Sequence, residues 1–243
     1  MFFKKKAVLM IHGFIGGIYD FDNFHNELQL HKNFDVFTFT LPAHEKFIVN
    51  DVKYKEWKDE ATKQIEILIK NGYKEIYLVG HSMGGVLASM LASSYKEVKK
   101  LVLVAPAFRY FYFKDGKIDI KNVSETLKNM KEILTDKNNE ILTSRIAKTP
   151  IPTVIEFMKL VKESQDYVNN IICPTLTING QKDIIVPQEA AEHVYNNIKS
   201  KTNHLYHMSK INHDCFKKQK EVKKIIKDFL IKKPNNKKEI INI

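Results

Sequence analysis

Short runs of β-branched and aromatic residues alternate along the chain with longer helical patterns. Ala7–Ile11, Asp35–Thr40, Ile76–Val79, Leu101–Ala105, Thr175–Ile178 and His204–His207 read as strands. Several are apolar on both faces, as strands of a parallel sheet covered by helices should be. Between them, Trp57, Ala61, Ile65, Leu68 and Ile69 fall on one helical face, ended by the stop signal Asn71-Gly72. Met83, Val86, Leu87, Met90, Leu91 and Ser94 repeat with helical spacing. So do Val222, Ile225, Ile226, Phe229 and Leu230, opposite Lys220, Lys223, Lys224 and Lys227. This alternation predicts an α/β fold with a mostly parallel, doubly wound sheet of about six strands.

One stretch breaks the alternation. From 107 to 170 only helical faces are visible: Val123, Leu127, Met130 and Leu134, then Val154, Phe157, Met158 and Val161. Roughly sixty residues is far more than one crossover helix requires. The expectation is a small helical cap inserted at 107–170, over the carboxyl ends of the strands, where such sheets bind ligands. The core would then comprise 1–106 and 171–232. The insertion opens with Phe108-Arg109-Tyr110-Phe111-Tyr112-Phe113. The aromatic side chains Phe108, Tyr110, Phe111, Tyr112 and Phe113 either pack the cap or line an apolar substrate pocket. Residues 233–243, with Pro234-Asn235-Asn236-Lys237-Lys238, read as a flexible tail.

Composition narrows the class. Of 243 residues, 44% are hydrophobic and 28% charged, which excludes a disordered or collagen-like chain. No apolar run approaches the ~20 residues of a membrane-spanning helix. Met1-Phe2-Phe3-Lys4-Lys5-Lys6 opens like a signal peptide, but the apolar stretch after it is only Ala7–Ile11 and meets no small-residue cleavage site. A cytoplasmic protein is expected. Cys173 and Cys215, without CxxC or metal-ligand spacing, fit a reducing compartment. The net charge of +11 comes from lysine, since Arg109 and Arg145 are the only arginines. A nucleic-acid reader would use more arginine for bidentate contacts, so no nucleic-acid partner is expected. Weak attraction to anionic membrane surfaces is the most this charge implies.

The chemistry concentrates at strand ends, where seven of the nine glycines sit: Gly13, Gly16, Gly17, Gly80, Gly84, Gly85 and Gly180. Gly80-His81-Ser82-Met83-Gly84-Gly85 follows the strand Ile76–Val79 and opens the helix from Met83. A serine on such a strand-to-helix turn is exposed at the top of the sheet and needs small neighbours. Its hydroxyl becomes a nucleophile only when a base removes the proton. Asp183 lies in the turn after Thr175–Ile178, and His213 in the loop after His204–His207, so acid and base follow the serine in the required order. Asp183 would orient the imidazole of His213 and stabilise its charged form. Asp214, adjacent to His213, is poorly placed for that role. The N–H groups of Met83 and Phe14 are the expected oxyanion donors, Phe14 following the first strand in His12-Gly13-Phe14. The Phe14 ring would wall the substrate pocket, and His12 would brace its loop. On a strand, His204 and His207 point to opposite faces and make no metal pair. Cys215 reads as a packed thiol.

His12-Gly13-Phe14, Gly80-His81-Ser82-Met83-Gly84-Gly85, Asp183 before Val186-Pro187, and His213 resemble the serine α/β-hydrolase superfamily. Within it the chain is most similar to compact bacterial carboxylesterases and monoacylglycerol-lipase-like enzymes. The resemblance implies an α/β-hydrolase fold and a Ser82–His213–Asp183 triad that cleaves carboxylic esters through an acyl-enzyme. The acyl groups would be short or medium, or the substrate monoacylglycerol-like. It implies a small-molecule ester substrate and neither metal nor organic cofactor. Thioesterase, lysophospholipase and aminopeptidase chemistry share the triad, and a non-catalytic scaffold for a hydrophobic ligand shares the fold.

Overall fold

The computed structural model describes residues 6–108, 113–114, 117–118, 144–145, 148–183 and 185–243. The strands in chain order are β1 (Lys6–Ile11), β2 (Phe34–Thr38), β3 (Ile76–His81), β4 (Val98–Val104), β5 (Phe113–Lys114), β6 (Lys117–Ile118), β7 (Thr175–Gly180), β8 (Asn203–Met208) and β9 (Lys238–Asn242). β5 and β6 form a separate antiparallel pair. The other seven build one sheet in the order β2-β1-β3-β4-β7-β8-β9, and every neighbouring pair is parallel. All six expected strands are present, and β9 is the seventh.

Helices α1 (Phe24–Gln29), α2 (Tyr54–Lys70), α3 (Met83–Ser94), α4 (Ile151–Val168), α5 (Gln188–Asn197) and α6 (Lys220–Ile231) cover both faces. α1 and α6 bury Phe24, Leu28, Val222, Ile226 and Leu230 on one face. α2, α3, α4 and α5 bury Trp57, Ile65, Val86, Leu87, Phe157, Met158, Ala190 and Val194 on the other. Strands closed in on both sides this way leave little room for polar residues, which is why β1 and β3 read as continuous apolar runs. Among the described residues no helix is long and apolar enough to cross a membrane.

The strand order reverses at β1. The chain leaving β1 passes to α1 on one face, while the chain leaving β3 passes to α3 on the other. The two loops diverge at the carboxyl ends of β1 and β3, the usual place for a ligand in an open α/β sheet.

Two expectations need correction. α4 falls inside the segment expected to form the cap, yet it packs with α2 and α3 on the core. Val154, Phe157, Met158, Leu160 and Val161 are all buried, Tyr54 N–H donates to Glu156 Oε2 at 3.2 Å, and Lys58 pairs with Glu163. α4 is therefore the crossover helix that precedes β7. The expected flexible tail is likewise a strand from Lys238 to Asn242, registered from Asn203↔Lys238 to His207↔Asn242. Its short, half-exposed sequence, Lys-Glu-Ile-Ile-Asn, hides it, because pairing with β8 supplies the order that apolar alternation does not.

Lys100, a buried charge on β4, secures the end of α6. Its Nζ donates to the carbonyls of Phe229 (2.7 Å), Leu230 (2.9 Å) and Lys232 (2.5 Å), carbonyls that a helix end otherwise leaves without partners. Lys100→Met keeps the apolar stem and strands these acceptors. It should lower stability by about 2–3 kcal/mol, seen as a lower urea midpoint at unchanged slope. An unchanged midpoint would show that the clamp contributes nothing.

Candidate active site

β3 is buried along its whole length and delivers the chain into Ser82, whose φ of 52° and ψ of −118° lie where L-residues are strained. Such a conformation costs on the order of 1–3 kcal/mol and persists only when its surroundings impose it. Ser82 N–H donates to Val104 O at 2.9 Å, and the Ser82 carbonyl accepts from Gly85 N–H at 2.9 Å and Ala107 N–H at 3.3 Å. The turn also requires α3 to approach β1 closely. A Cβ on Gly84 would stand 1.9 Å from the Ile11 carbonyl oxygen.

The expected acid and base are in direct contact. Asp183, whose side chain has no exposure, places Oδ2 2.8 Å from His213 Nδ1. Its Oδ1 accepts N–H groups from Ile185 and Val186, each at 2.8 Å. Burial alone would push this carboxyl up, but His213 and the two N–H donors outweigh it and hold Asp183 below the ordinary carboxylate range. With Nδ1–H committed to Asp183, His213 keeps Nε2 for chemistry. The Asp214 carboxylate instead accepts the Lys217 N–H on Oδ1 at 3.4 Å. His213 is brought to the nucleophile turn through His81, whose ring centroid lies 5.0 Å from its own. The bond from Ser82 Oγ to His213 is not among those the described residues make, and such bonds commonly close only around substrate.

Beside the turn lies the loop after β1. Its approach to the serine is close, since a Cβ on Gly13 would meet Ser82 Cβ at 3.2 Å. Asp20 holds the loop, accepting Gly13 N–H on Oδ2 at 2.9 Å and Gly17 N–H on Oδ1 at 3.2 Å. Ile15, at φ 64°, donates its N–H to His44 Nε2 at 3.2 Å. His12 Nε2 accepts Leu41 N–H at 3.0 Å, so the imidazole expected to brace the loop does so. Both histidines accept on Nε2 and donate from Nδ1, to Gly13 O (2.9 Å) and Pro42 O (3.0 Å), and so are neutral. Burial lowers both, pushing His44 down to about 3. Buried Arg145 straps the next loop by donating to Phe47 O and Lys46 O, each at 3.0 Å, and to the Tyr19 hydroxyl. No described residue accepts the N–H of Phe14 or of Met83.

The aromatic candidates divide. Phe14 is half-buried, its ring stacked on Phe157 at 4.7 Å and edge-on to Trp57 at 5.7 Å. Phe108 is buried in the core, its carbonyl accepting from Gln165 Nε2 at 2.6 Å, so it packs rather than lining open space. Tyr110, Phe111 and Tyr112 lie outside the described residues, and Phe113 is described only as backbone of β5. His204 meets Glu239 on β9 while His207 meets Glu192 on α5, the opposite-face arrangement expected. Burial pushes the Cys173 thiol up to about 12 and raises Cys215 well above the ordinary thiol value, so neither carries a ready thiolate. Asp20, His44, His81 and Arg145 escaped the sequence reading. No spacing links residue 20 to 81 or 145 to 47, and only the lone Asp following a glycine-rich loop could have drawn notice.

A parallel sheet with a serine on a left-handed turn after its third strand is the α/β-hydrolase architecture. The chain belongs to the serine aminopeptidase S33 family, whose pattern matches residues 4–220. It is 24% identical over 202 residues to a carboxylesterase of Bacillus subtilis, covering 80% of this chain and 79% of that one. Its fold is similar to the monoacylglycerol lipase of Paleococcus ferrophilus, with a TM-score of 0.67 at 17% identity over 94% of this chain and 96% of that one. It is similar too to a structure reported for the metagenome-derived lipolytic enzymes LipS and LipT, with a TM-score of 0.71 at 16% identity over 93% and 94%.

Gly84→Ala drives a methyl into the β1 backbone. It should cost about 3 kcal/mol or more, read as a large drop in the thermal midpoint by circular dichroism. A midpoint within a degree or two of the parent would mean that α3 need not approach β1 so closely.

Proposed function

We propose that the protein hydrolyses carboxylic esters of short or medium acyl chains through an acyl-enzyme on Ser82. The observation that carries this reading is the 2.8 Å contact of buried Asp183 with His213 Nδ1, beside a serine on a left-handed turn. Ser82 Oγ attacks the acyl carbonyl carbon as His213 Nε2 takes its proton. The carbonyl oxygen becomes an oxyanion and accepts N–H bonds from Phe14 and Met83, each worth about 3–4 kcal/mol in the transition state. The tetrahedral intermediate collapses, the C–O bond to the alcohol breaks, and His213 gives its proton to the leaving oxygen. Water then repeats the sequence on the acyl-enzyme and releases the acid. Throughout, Asp183 keeps the imidazole in the Nδ1–H tautomer and balances its transient charge. The ring of Phe14, stacked on Phe157, offers an apolar wall to the acyl chain.

Preference for an ester draws support from the relatives named carboxylesterase and monoacylglycerol lipase. The family's own name raises an aminopeptidase as the second reading. That activity needs a free carboxylate for the substrate ammonium, and the described site carboxylates, Asp20 and Asp183, are both committed to N–H groups and imidazoles. The proposal includes a cytoplasmic enzyme, in keeping with two free, buried thiols.

Hydrolysis of p-nitrophenyl esters from acetate to palmitate tests the reading. Activity should peak at short or medium chains and vanish in Ser82→Ala, which should fold as the parent does. Full activity in that variant would end the assignment of the nucleophile. Silence across the series, with Ser82 still labelled by a fluorophosphonate, would favour a thioester or peptide substrate. Asp183→Asn should lower kcat by up to about 10⁴ through the wrong imidazole tautomer, and an unchanged kcat would mean that another acid serves His213.

A further inference from the structure

His81 stands next to the reacting serine and takes no part in the chemistry above. Its side chain is enclosed, only 9% exposed, with Phe216 edge-on to the ring at 5.9 Å. Both ring nitrogens face acceptors. Nε2 lies 3.0 Å from the backbone carbonyl oxygen of His213. A carbonyl only accepts, so Nε2 carries a proton. Nδ1 lies 3.3 Å from Asp20 Oδ2. That carboxylate already accepts the Gly13 and Gly17 N–H groups, a pattern that favours its ionised form. The second proton therefore belongs on Nδ1.

We propose that His81 is a positioning residue held as an imidazolium, ion-paired with Asp20 in the interior, and that this pair ties the loops carrying Phe14 and His213 to the turn carrying Ser82. Its effect on catalysis rests on the serine-hydrolase reading, but its charge state does not. The pair joins residues 61 apart, and the bond to the His213 carbonyl joins residues 132 apart. Asp20 aims the backbone on both sides of Phe14, at Gly13 and Gly17, and His81 fixes the main chain of the base. No lone pair remains on the ring to exchange protons, so it can hold but not shuttle. The other titratable groups facing it are His12, His213 and Asp214.

The direction of titration agrees. Burial works against charge on both groups, but each partner outweighs it, so His81 lies above the ordinary histidine value and Asp20 below the ordinary carboxylate value. For His81, whose folded value is raised, the stabilisation is complete below the unfolded value and is lost as pH rises through the folded one. For Asp20 it is present above the unfolded value and lost as pH falls through the lowered one. The clamp is therefore charged between the lowered Asp20 value and the raised His81 value.

The test is a ¹⁵N-histidine NMR titration of the full chain upward from pH 5, with the His81 ring assigned by through-bond correlation to its backbone. Both ring nitrogens should stay protonated to higher pH than in a free histidine, whose ordinary value is near 6.5. Asp20→Asn should lower the pH at which the second proton leaves. In the same variant kcat on the best p-nitrophenyl ester should fall about ten- to a hundredfold, the scale of a misplacement near 1 Å, with KM changed far less. If Asp20→Asn does not fold, His81→Gln serves for the kinetic comparison. A His81 that loses its second proton at or below the ordinary value in the parent protein overturns the proposal, and so does an unchanged kcat in the variant. Fluorophosphonate labelling of the parent separates the two readings. An unlabelled Ser82 with a His81 still doubly protonated above the ordinary value would leave the ion pair standing and remove the hydrolase.

Discussion

The close approach of α3 to β1 governs the geometry of everything around the serine. Glycine at 84 lets the helix backbone lie against the Ile11 carbonyl, where even a methyl would be stopped at 1.9 Å. That contact forces the chain leaving β3 to turn sharply, and Ser82 absorbs the turn at φ 52°. It also starts α3 beside the end of β1, against the Ile11 and His12 carbonyls. A looser packing of this helix would relieve the strain, but in the mechanism we propose it would separate the nucleophile from its oxyanion donors.

Two buried aspartates flank the turn, and they are built alike. Asp183 accepts two backbone N–H groups and one imidazole N–H, from Ile185, Val186 and His213. Asp20 accepts the same set from Gly13, Gly17 and His81. Saturating a carboxylate in this way is what makes an interior charge tolerable. The difference lies in the second nitrogen of each imidazole. His213 keeps Nε2 for a proton that comes and goes, whereas His81 commits Nε2 to a carbonyl. In the roles we propose, the same pairing yields a base on one side of Ser82 and a fixed brace on the other.

Neutral histidines complete the support. His12 and His44 each accept a backbone N–H on Nε2 and return Nδ1–H to a carbonyl. Desolvation keeps them uncharged, so they add hydrogen bonds to the loop beside Ser82 without adding a third buried charge. Arg145 binds carbonyls and the Tyr19 hydroxyl rather than an acid. It closes the loop before α2 against the loop after β1.

Apolar periodicity alone determined the strands and most of the helices, because burial on both faces of a parallel sheet leaves no other reading for runs such as Ala7–Ile11. The positions of Ser82, Asp183 and His213, each just after a strand, were also legible, as was the meeting of Asp183 with His213. The tertiary structure alone decided the rest. β9 was hidden because its order comes from pairing with β8 and not from an apolar face. α4 was assigned to the cap because a long gap between strands does not reveal which of its helices covers the sheet. The pairing of Asp20 with His81 depends on two loops meeting across 61 residues, and no local pattern encodes a meeting that the fold itself creates.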